Sequence, residues 1–321
     1  MPTPESFAPV AVTRRSGFDE SVHFGAVVGL GSSGVLEFAV GDPTTAIYPR
    51  SSNKPMQAVA MVRAGLKLPP ELLALVCASH DGTPMHIEAA RRILATAGLD
   101  ERSLANTADL PLDEASATSV LRAGGGPTRL QMNCSGKHSG MLVTSAANGW
   151  PIDAGYLAPD HLLQQQITAT IDDLTAEPHR HIGVDGCGSP AHVISLIGLA
   201  RGFRSVATGA AGAAGDAVYR AMTSHPEMVG GDNRDVTHFM RGVPGLMAKD
   251  GADGVFAAAL PDGRAIAIKI ADGANRARPP VMVAALRALG IDTTAIEASV
   301  TQWILGHGAH VGEVRSIAPL G

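Results

Sequence analysis

The chain has 321 residues, 45% of them hydrophobic and 17% charged, which suits a globular protein that can bury a substantial core and argues against disorder. A net charge of −5 and only 4% aromatic residues supply neither the positive field nor the stacking surface that nucleic acid requires, and no attraction to anionic membrane. Three cysteines, Cys77, Cys134 and Cys187, cannot all pair, so a disulfide framework is not expected. The opening Met-Pro-Thr-Pro-Glu-Ser lacks the order of a signal peptide, and no apolar run reaches the roughly 18 residues needed to span a bilayer. The expectation is a cytoplasmic protein whose reduced thiols are free to bind metal.

In chain order, 22–30 and 35–40 read as two strands joined by a Gly-Ser-Ser-Gly turn. That turn contains Gly29-x-Gly31-x-x-Gly34, but the glycines lead into another strand rather than a helix, so a hairpin accounts for them better than a dinucleotide fingerprint. Ser51 and Lys54 follow at i, i+3 at the start of an apolar helical run. This spacing puts the amine on the same helix face as the hydroxyl, where a neutral lysine can take a serine proton. Such a lysine needs burial or a neighbouring cation such as Arg50 to lower its pKa; the alternative is an N-cap serine beside a solvated lysine.

A helix over 71–78 then ends at Ser79-His80-Asp81-Gly82, where Ser79 is either a second catalytic hydroxyl or an ordinary loop serine. Helices are predicted over 85–97, 113–122, 141–147, 160–175 (capped by Asp160), 191–201, 213–224 and 233–241. Cys134 and Lys137, again at i, i+3, can point into one cavity, and 181–184 reads as a short extended segment before Asp185-Gly186-Cys187-Gly188. Near the end, 255–260 and 264–270 flank a Pro-Asp-Gly turn as strands. Ile266, Ile268 and Ile270 alternate there, which places Lys269 on the opposite, solvent side. Helices over 280–289 and 293–305 close the chain. Strands at both ends with helices between imply an α+β architecture, one antiparallel sheet packed on terminal helices. We read 1–321 as a single catalytic unit, with sheet at about 20–50 and 243–321 and helices over about 55–242.

Four motifs in this order, Pro49-Arg50-Ser51-Ser52-Asn53-Lys54-Pro55, Cys77-Ala78-Ser79-His80, Asn133-Cys134-Ser135-Gly136-Lys137-His138 and Asp185-Gly186-Cys187-Gly188, resemble the rhizobial-type (class 3, asparaginase II) L-asparaginases over nearly the whole chain. The resemblance implies a serine β-lactamase- and glutaminase-like fold, a homodimer, and hydrolysis of L-asparagine to L-aspartate and ammonia. It implies that Ser51 with Lys54 and Ser79 with a distant lysine form two catalytic couples. Lys249, in Ala-Lys-Asp-Gly, is the expected distant partner and Lys269 the fallback. Cys134, Lys137 and Cys187 match the family's zinc ligands, and Asp185, His138 and Arg50 match positions lining that site. The sequence departs from the family at Thr83, where an acidic residue is common after Ser-His-x-Gly, and in a short N-terminal segment.

On this reading Ser51 attacks the side-chain amide, Lys54 takes its proton, and backbone N–H groups at the helix start hold the oxyanion. Ser79 and Lys249 relay the proton to the departing nitrogen. Cys77 has no partner motif and is assigned to packing, and His192 and His225 to ordinary structure. Two other readings stand beside this one: a glutaminase or penicillin-recognising serine hydrolase, which shares Ser-x-x-Lys, and a zinc-binding small-ligand sensor with a decayed site.

Overall fold

The computed structural model describes residues 2–320; the first and last residues of the expected 1–321 unit lie outside the described residues. The chain begins with β1 (Ala8–Arg15), β2 (Phe18–Leu30), β3 (Leu36–Val40) and β4 (Ala46–Ile47). A 3-10 turn over Arg50–Asn53 runs directly into α1 (Lys54–Arg63), followed by α2 (Pro70–Val76), α3 (Pro84–Ala95), α4 (Glu114–Arg122), α5 (Ser135–Ala147) and α6 (Leu162–Thr175). Then come β5 (His181–Val184), β6 (Pro190–Ser195), α7 (Leu196–Ala207), α8 (Gly212–Ser224), α9 (Pro226–Val229) and α10 (Asp235–Gly242). The final part comprises β7 (Met247–Asp250), β8 (Val255–Ala259), β9 (Ala265–Ile270), α11 (Arg278–Ala288), α12 (Glu297–Val300), β10 (Gln302–Gly306) and β11 (Ala309–Ser316).

Eight strands of the described residues form one antiparallel sheet in the order β10-β11-β1-β2-β9-β8-β7, with β3 also on β2. The expected α+β class, a sheet built from both chain ends with helices against it, is what the chain forms. β2 serves three neighbours because it is long: its first half pairs with β1, and its second half pairs with β9 over Gly25–Leu30 and with β3 over Val27–Leu30. At the centre, β8 and β9 are rich in alanine (Ala257, Ala258, Ala259, Ala265, Ala267) and almost wholly buried. Small side chains there let α7 and α11 approach the sheet closely. α7 is amphipathic, burying Leu196, Leu199, Phe203 and Val206 at helical spacing. A second, three-stranded sheet, β4-β6-β5, lies apart from the first.

Several local expectations are corrected. Residues 8–15 form a strand that periodicity did not reveal, because Val10, Ala11, Val12 and Thr13 are buried consecutively rather than alternately. The helix expected over 191–201 is β6 to Ser195, and Ser195 then caps α7 by accepting the Gly198 N–H at 2.9 Å. The helix expected over 293–305 is one short turn, α12, followed by strand β10, which pairs with β11. α6 is capped by His161, whose Nδ1 accepts the Leu163 N–H, rather than by Asp160.

Candidate active site

Five segments meet at one buried place: the 3-10 turn and start of α1, the loop after α2, the start of α5, the β5–β6 turn and the end of β7. Glycines allow the closest of these approaches. A Cβ on Gly136 would stand 2.5 Å from the Leu75 carbonyl oxygen, and one on Gly140 2.9 Å from Val76, so α5 lies almost backbone-to-backbone against α2. This brings Cys134 and Lys137 beside the loop that carries Ser79. That loop is clamped by backbone bonds on both sides: Ser79 N–H to Val229 O (3.1 Å), His80 N–H to Asn133 O (3.1 Å) and Asp81 N–H to Gly230 O (2.7 Å). His80 Nδ1 accepts the Gly82 N–H, which leaves Nε2–H to donate to Ser135 Oγ at 2.9 Å. Burial holds His80 well below the usual imidazole range, so it works as a neutral strut.

Lys54 is 1% exposed, and its Nζ donates to Ser79 Oγ (3.1 Å), to Cys134 Sγ (3.0 Å) and to the Ala78 carbonyl. Among the described residues no hydrogen bond joins it to Ser51, so the expected Ser51–Lys54 contact is not the one formed. The reason is local. Ser51 sits in the 3-10 turn before α1, and α1 takes Asn53 rather than a serine as its N-cap. Ser51 lies one 3-10 turn before Lys54, whose backbone N–H bonds to the Ser51 carbonyl, but the Lys54 side chain runs to Ala78, Ser79 and Cys134 instead. Ser51 is only half-buried, whereas Ser79 is buried. Ser52 Oγ donates to the Lys249 carbonyl at 3.0 Å, which ties this turn to β7.

Lys249 is fully buried, but its Nζ goes to Asp250, at 2.5 Å to Oδ1 and 2.7 Å to the carbonyl, rather than to Ser79 as expected. Burial lowers its pKa to about 8; Asp250 pulls it up and Lys54 pushes it further down. Asp250 is kept well below the usual carboxylate range despite its burial, because Lys249, Arg234 and Arg278 surround it. The fallback residue Lys269 is half-buried rather than solvent-facing, and donates to the Asp253 carbonyl at the sheet surface.

Cys134 Sγ donates to Asn133 Oδ1 at 3.1 Å, Cys187 Sγ lies 3.1 Å from Ser189 Oγ, and the two sulfurs are near enough to perturb one another. Cys187 pushes the Cys134 thiol up, while Cys134, with Lys137 and His138 nearby, pulls Cys187 down. Lys137 Nζ donates to Cys187 Sγ at 3.1 Å and to Ser189 Oγ at 2.5 Å. Burial alone would lower Lys137, but the two sulfurs outweigh it and raise its pKa. His138 Nδ1 meets Tyr156 OH at 2.8 Å, and its Nε2, beside Cys187, has no hydrogen-bond partner among the described residues. No three His, Cys, Asp or Glu side chains gather in metal-binding fashion among the described residues. The donors that do converge are two sulfurs and an amine. That set suits zinc, whose charge would replace the protons now held on Cys134 and Lys137.

The family model for L-asparaginase II matches residues 11–316. The chain belongs to the L-asparaginase II family. No curated protein sequence matches it. Among solved structures, Mglu in its native form is 14% identical, covering 82% of this chain and 62% of its own length, with a TM-score of 0.44. A β-lactamase from Mycobacterium bovis is 14% identical over 83% of this chain and 94% of its own, TM-score 0.39. A probable glutaminase is 16% identical over 84% and 87%, TM-score 0.40. This chain thus spans less than two thirds of the Mglu chain.

In this asparaginase II chain, Arg50 stands at the mouth of the cluster with a left-handed φ of +52°. Its Nε donates to Asp185 Oδ1 at 2.9 Å, and Nη1 pairs with Asp253. Outside it lies a cavity of about 550 Å³ whose walls include Tyr48, Arg180, Val193 and Lys269. Inside it, between Asn53, Lys54, Gln57, Lys137 and Asp185, only about 10 Å³ is open, room for about one water. Arg50 lines both spaces. Sequence reasoning did not find Ser189, Tyr156, Arg234 or Asp250. Ser189 shares the Cys187 turn, and Asp250 adjoins Lys249, so proximity in sequence was a usable signal for those two; for Tyr156 and Arg234 there was none.

Proposed function

We propose that this chain hydrolyses L-asparagine to L-aspartate and ammonia through a serine–lysine mechanism. The observation that carries the reading is the buried Lys54 amine lying within hydrogen-bond distance of both the Ser79 hydroxyl and Cys134. Ser51 Oγ, the more accessible hydroxyl, attacks the side-chain amide carbon. Its proton passes by way of Ser79 Oγ to Lys54, the base of the scheme, and backbone N–H groups at the start of α1 take up the oxyanion charge. Lys54 then returns that proton through Ser79 to the leaving nitrogen, which departs as ammonia as the carbonyl re-forms on Ser51. Water cleaves the ester by the same route in reverse, releasing aspartate. Lys249 acts as a fixed cation beside Lys54, held by Asp250, rather than as a second base.

Cys134, Lys137 and Cys187 are the residues that would hold zinc. Bound there, it would supply a Lewis-acidic anchor for the α-amino or α-carboxylate end of the substrate. Arg50, Asp185 and His138 border that end of the site. A homodimer, as the family resemblance implies, completes the proposal.

Treating the protein with a diazoketone analogue of asparagine and mapping the adduct by mass spectrometry tests the nucleophile. Label on Ser51, absent in Ser51→Ala, supports the scheme; label on Ser79 exchanges the two hydroxyls; label on neither rejects it. Ammonia release from asparagine and from glutamine, with nitrocefin turnover, separates the asparaginase from the glutaminase and penicillin-recognising readings. A chelator that raises KM more than it lowers kcat supports the anchoring role of zinc, and the reverse discards it.

A further inference from the structure

We propose that Arg234 is a positioning residue that locks the loop bearing Ser79 to the strand bearing Lys249. The inference rests on the serine–lysine reading above and extends it to a residue with no motif around it. Arg234 precedes α10, and its guanidinium forks between two carboxylates: Nη1 to Asp81 Oδ1 at 3.2 Å and Nη2 to Asp250 Oδ2 at 2.6 Å. Asp81 lies two residues after Ser79, and Asp250 holds the Lys249 ammonium through its other oxygen. One planar group thus spans the two segments that carry the Ser79 hydroxyl and the Lys249 cation. A lysine has no second donor in that fixed geometry.

The segment leading to Arg234 grips the same loop by its backbone. Val229 O accepts from Ser79 N–H and Gly230 O from Asp81 N–H. At Gly231, with φ of +138°, a Cβ would fall 2.0 Å from Asp81 Oδ2, so a side chain there would expel the carboxylate from its seat. The bridge is mostly buried, with side-chain exposures of 25% for Arg234, 10% for Asp81 and 6% for Asp250. Such a pair loses much when one partner is removed.

The other charged and titratable groups acting on Lys249 come from the elements packed around it: Lys54 of α1, Cys77 after α2, and Arg278 of α11, which lies 3.8 Å from Asp250 and 3.5 Å from Asp235. Of the groups around Lys249, Lys54 also reaches the Ser79 loop, at Ser79 Oγ and the Ala78 carbonyl, and Arg234 is the one that ties the loop, through Asp81, to the carboxylate holding Lys249. Arg234 itself is kept protonated far above the ordinary range, chiefly by Asp250, so it stays charged at every working pH.

The test uses the full-length protein and compares wild type, Ser79→Ala, Arg234→Gln, Arg234→Lys, Asp81→Asn and the Asp81→Asn/Arg234→Gln double variant. Wild-type ammonia release and its loss in Ser79→Ala establish the underlying reading independently of Arg234. We expect Arg234→Gln to lower kcat about tenfold or more, with KM changed less than about twofold. The alkaline fall in kcat should move to higher pH, because a cation that lowers the Lys249 pKa is gone. Arg234→Lys should restore the position of that fall but only part of kcat. The double variant should lose little beyond Arg234→Gln, since both changes break the same bridge. Lys249 13Cε titration by NMR reads the same shift without substrate, so it remains decisive if wild type proves inactive on asparagine. A loss confined to KM would make Arg234 a substrate contact, and a lower Tm with an unmoved Lys249 titration would make it purely structural. Either result, or additive losses in the double variant, overturns the inference.

Discussion

Raising the pH discriminates sharply between two uses of Lys249. Burial brings its pKa from the ordinary 10.5 down to about 8, against the upward pull of Asp250. A group with that pKa is about 90% charged at pH 7, half charged at pH 8 and about 10% charged at pH 9. If the site needs the cation, kcat falls about tenfold between pH 7 and pH 9. Stability moves in the opposite direction. Between about 8 and 10.5 the unfolded chain keeps this proton and the native one does not, so the native state binds fewer protons and gains stability as pH rises. Over that window this one group contributes about 3 kcal/mol, so the loss of activity is not loss of fold. The assay is initial-rate ammonia release at saturating asparagine from pH 6 to 10 at constant ionic strength, with urea denaturation at the same pH values. Lys249→Arg keeps a charge throughout and should abolish the fall near pH 8. A kcat that rises through pH 8 would make Lys249 a base and refute the assignment; a flat profile would remove Lys249 from the mechanism.

Three further outcomes are expected. Lys54→Met takes the amine from Ser79 Oγ, Cys134 Sγ and the Ala78 carbonyl together; kcat should drop by about 10³ or more, with the unmet buried groups costing about 1–3 kcal/mol in urea denaturation. Gly231→Ala should destabilise by about 1–3 kcal/mol and lower kcat, because the left-handed backbone and the contact with Asp81 both oppose a Cβ; unchanged stability would show that the loop relaxes freely. Purified protein should carry about one zinc per chain by mass spectrometry, lost in Cys134→Ser and Cys187→Ser, retained in Cys77→Ser, and bound more weakly as pH falls. Cys77, fully buried with its thiol pushed up to about 12, is the internal control.

The sequence made the class of fold legible through its strongest periodicities. The alternation of Ile266, Ile268 and Ile270 and the strands around the Gly-Ser-Ser-Gly turn placed β2, β3 and β9, and capped amphipathic runs placed α3, α4 and α8. What failed were segments whose burial is not periodic. β1 is buried on consecutive residues, and β6, buried at all but one residue, runs straight into α7. The C-terminal hairpin was hidden for another reason: Trp303 and Leu305 are exposed on β10, so hydrophobicity there did not report a buried helix face. The motifs carrying Lys54, Ser79, Cys134, Lys137 and Cys187 were found in sequence, and the structure brings those residues together. Which hydroxyl Lys54 meets was not legible, because it depends on a 3-10 turn before α1 and on how closely Gly136 lets α5 approach α2. Arg234 was invisible because its meaning lies wholly in two partners, Asp81 and Asp250, distant from each other in sequence.

Charge pairing among the buried lysines explains why one of them is suited to move a proton. Lys137 meets the Cys187 thiolate and Lys249 meets the Asp250 carboxylate, so each ammonium is matched by an anion that taking its proton away would strand. Lys54 is buried just as deeply, yet its three partners are a carbonyl, a hydroxyl and the Cys134 sulfur, whose charge zinc would take up on the proposed reading. Passing a proton between Lys54 and Ser79 therefore strands no counter-ion. On the proposed mechanism, the anions beside Lys137 and Lys249 leave the Lys54–Ser79 contact as the one through which a proton moves. Giving Lys54 an anion of its own, as Ala78 cannot but an acidic side chain on this loop would, should halt turnover while leaving the ligand pair at Cys134 and Cys187 intact.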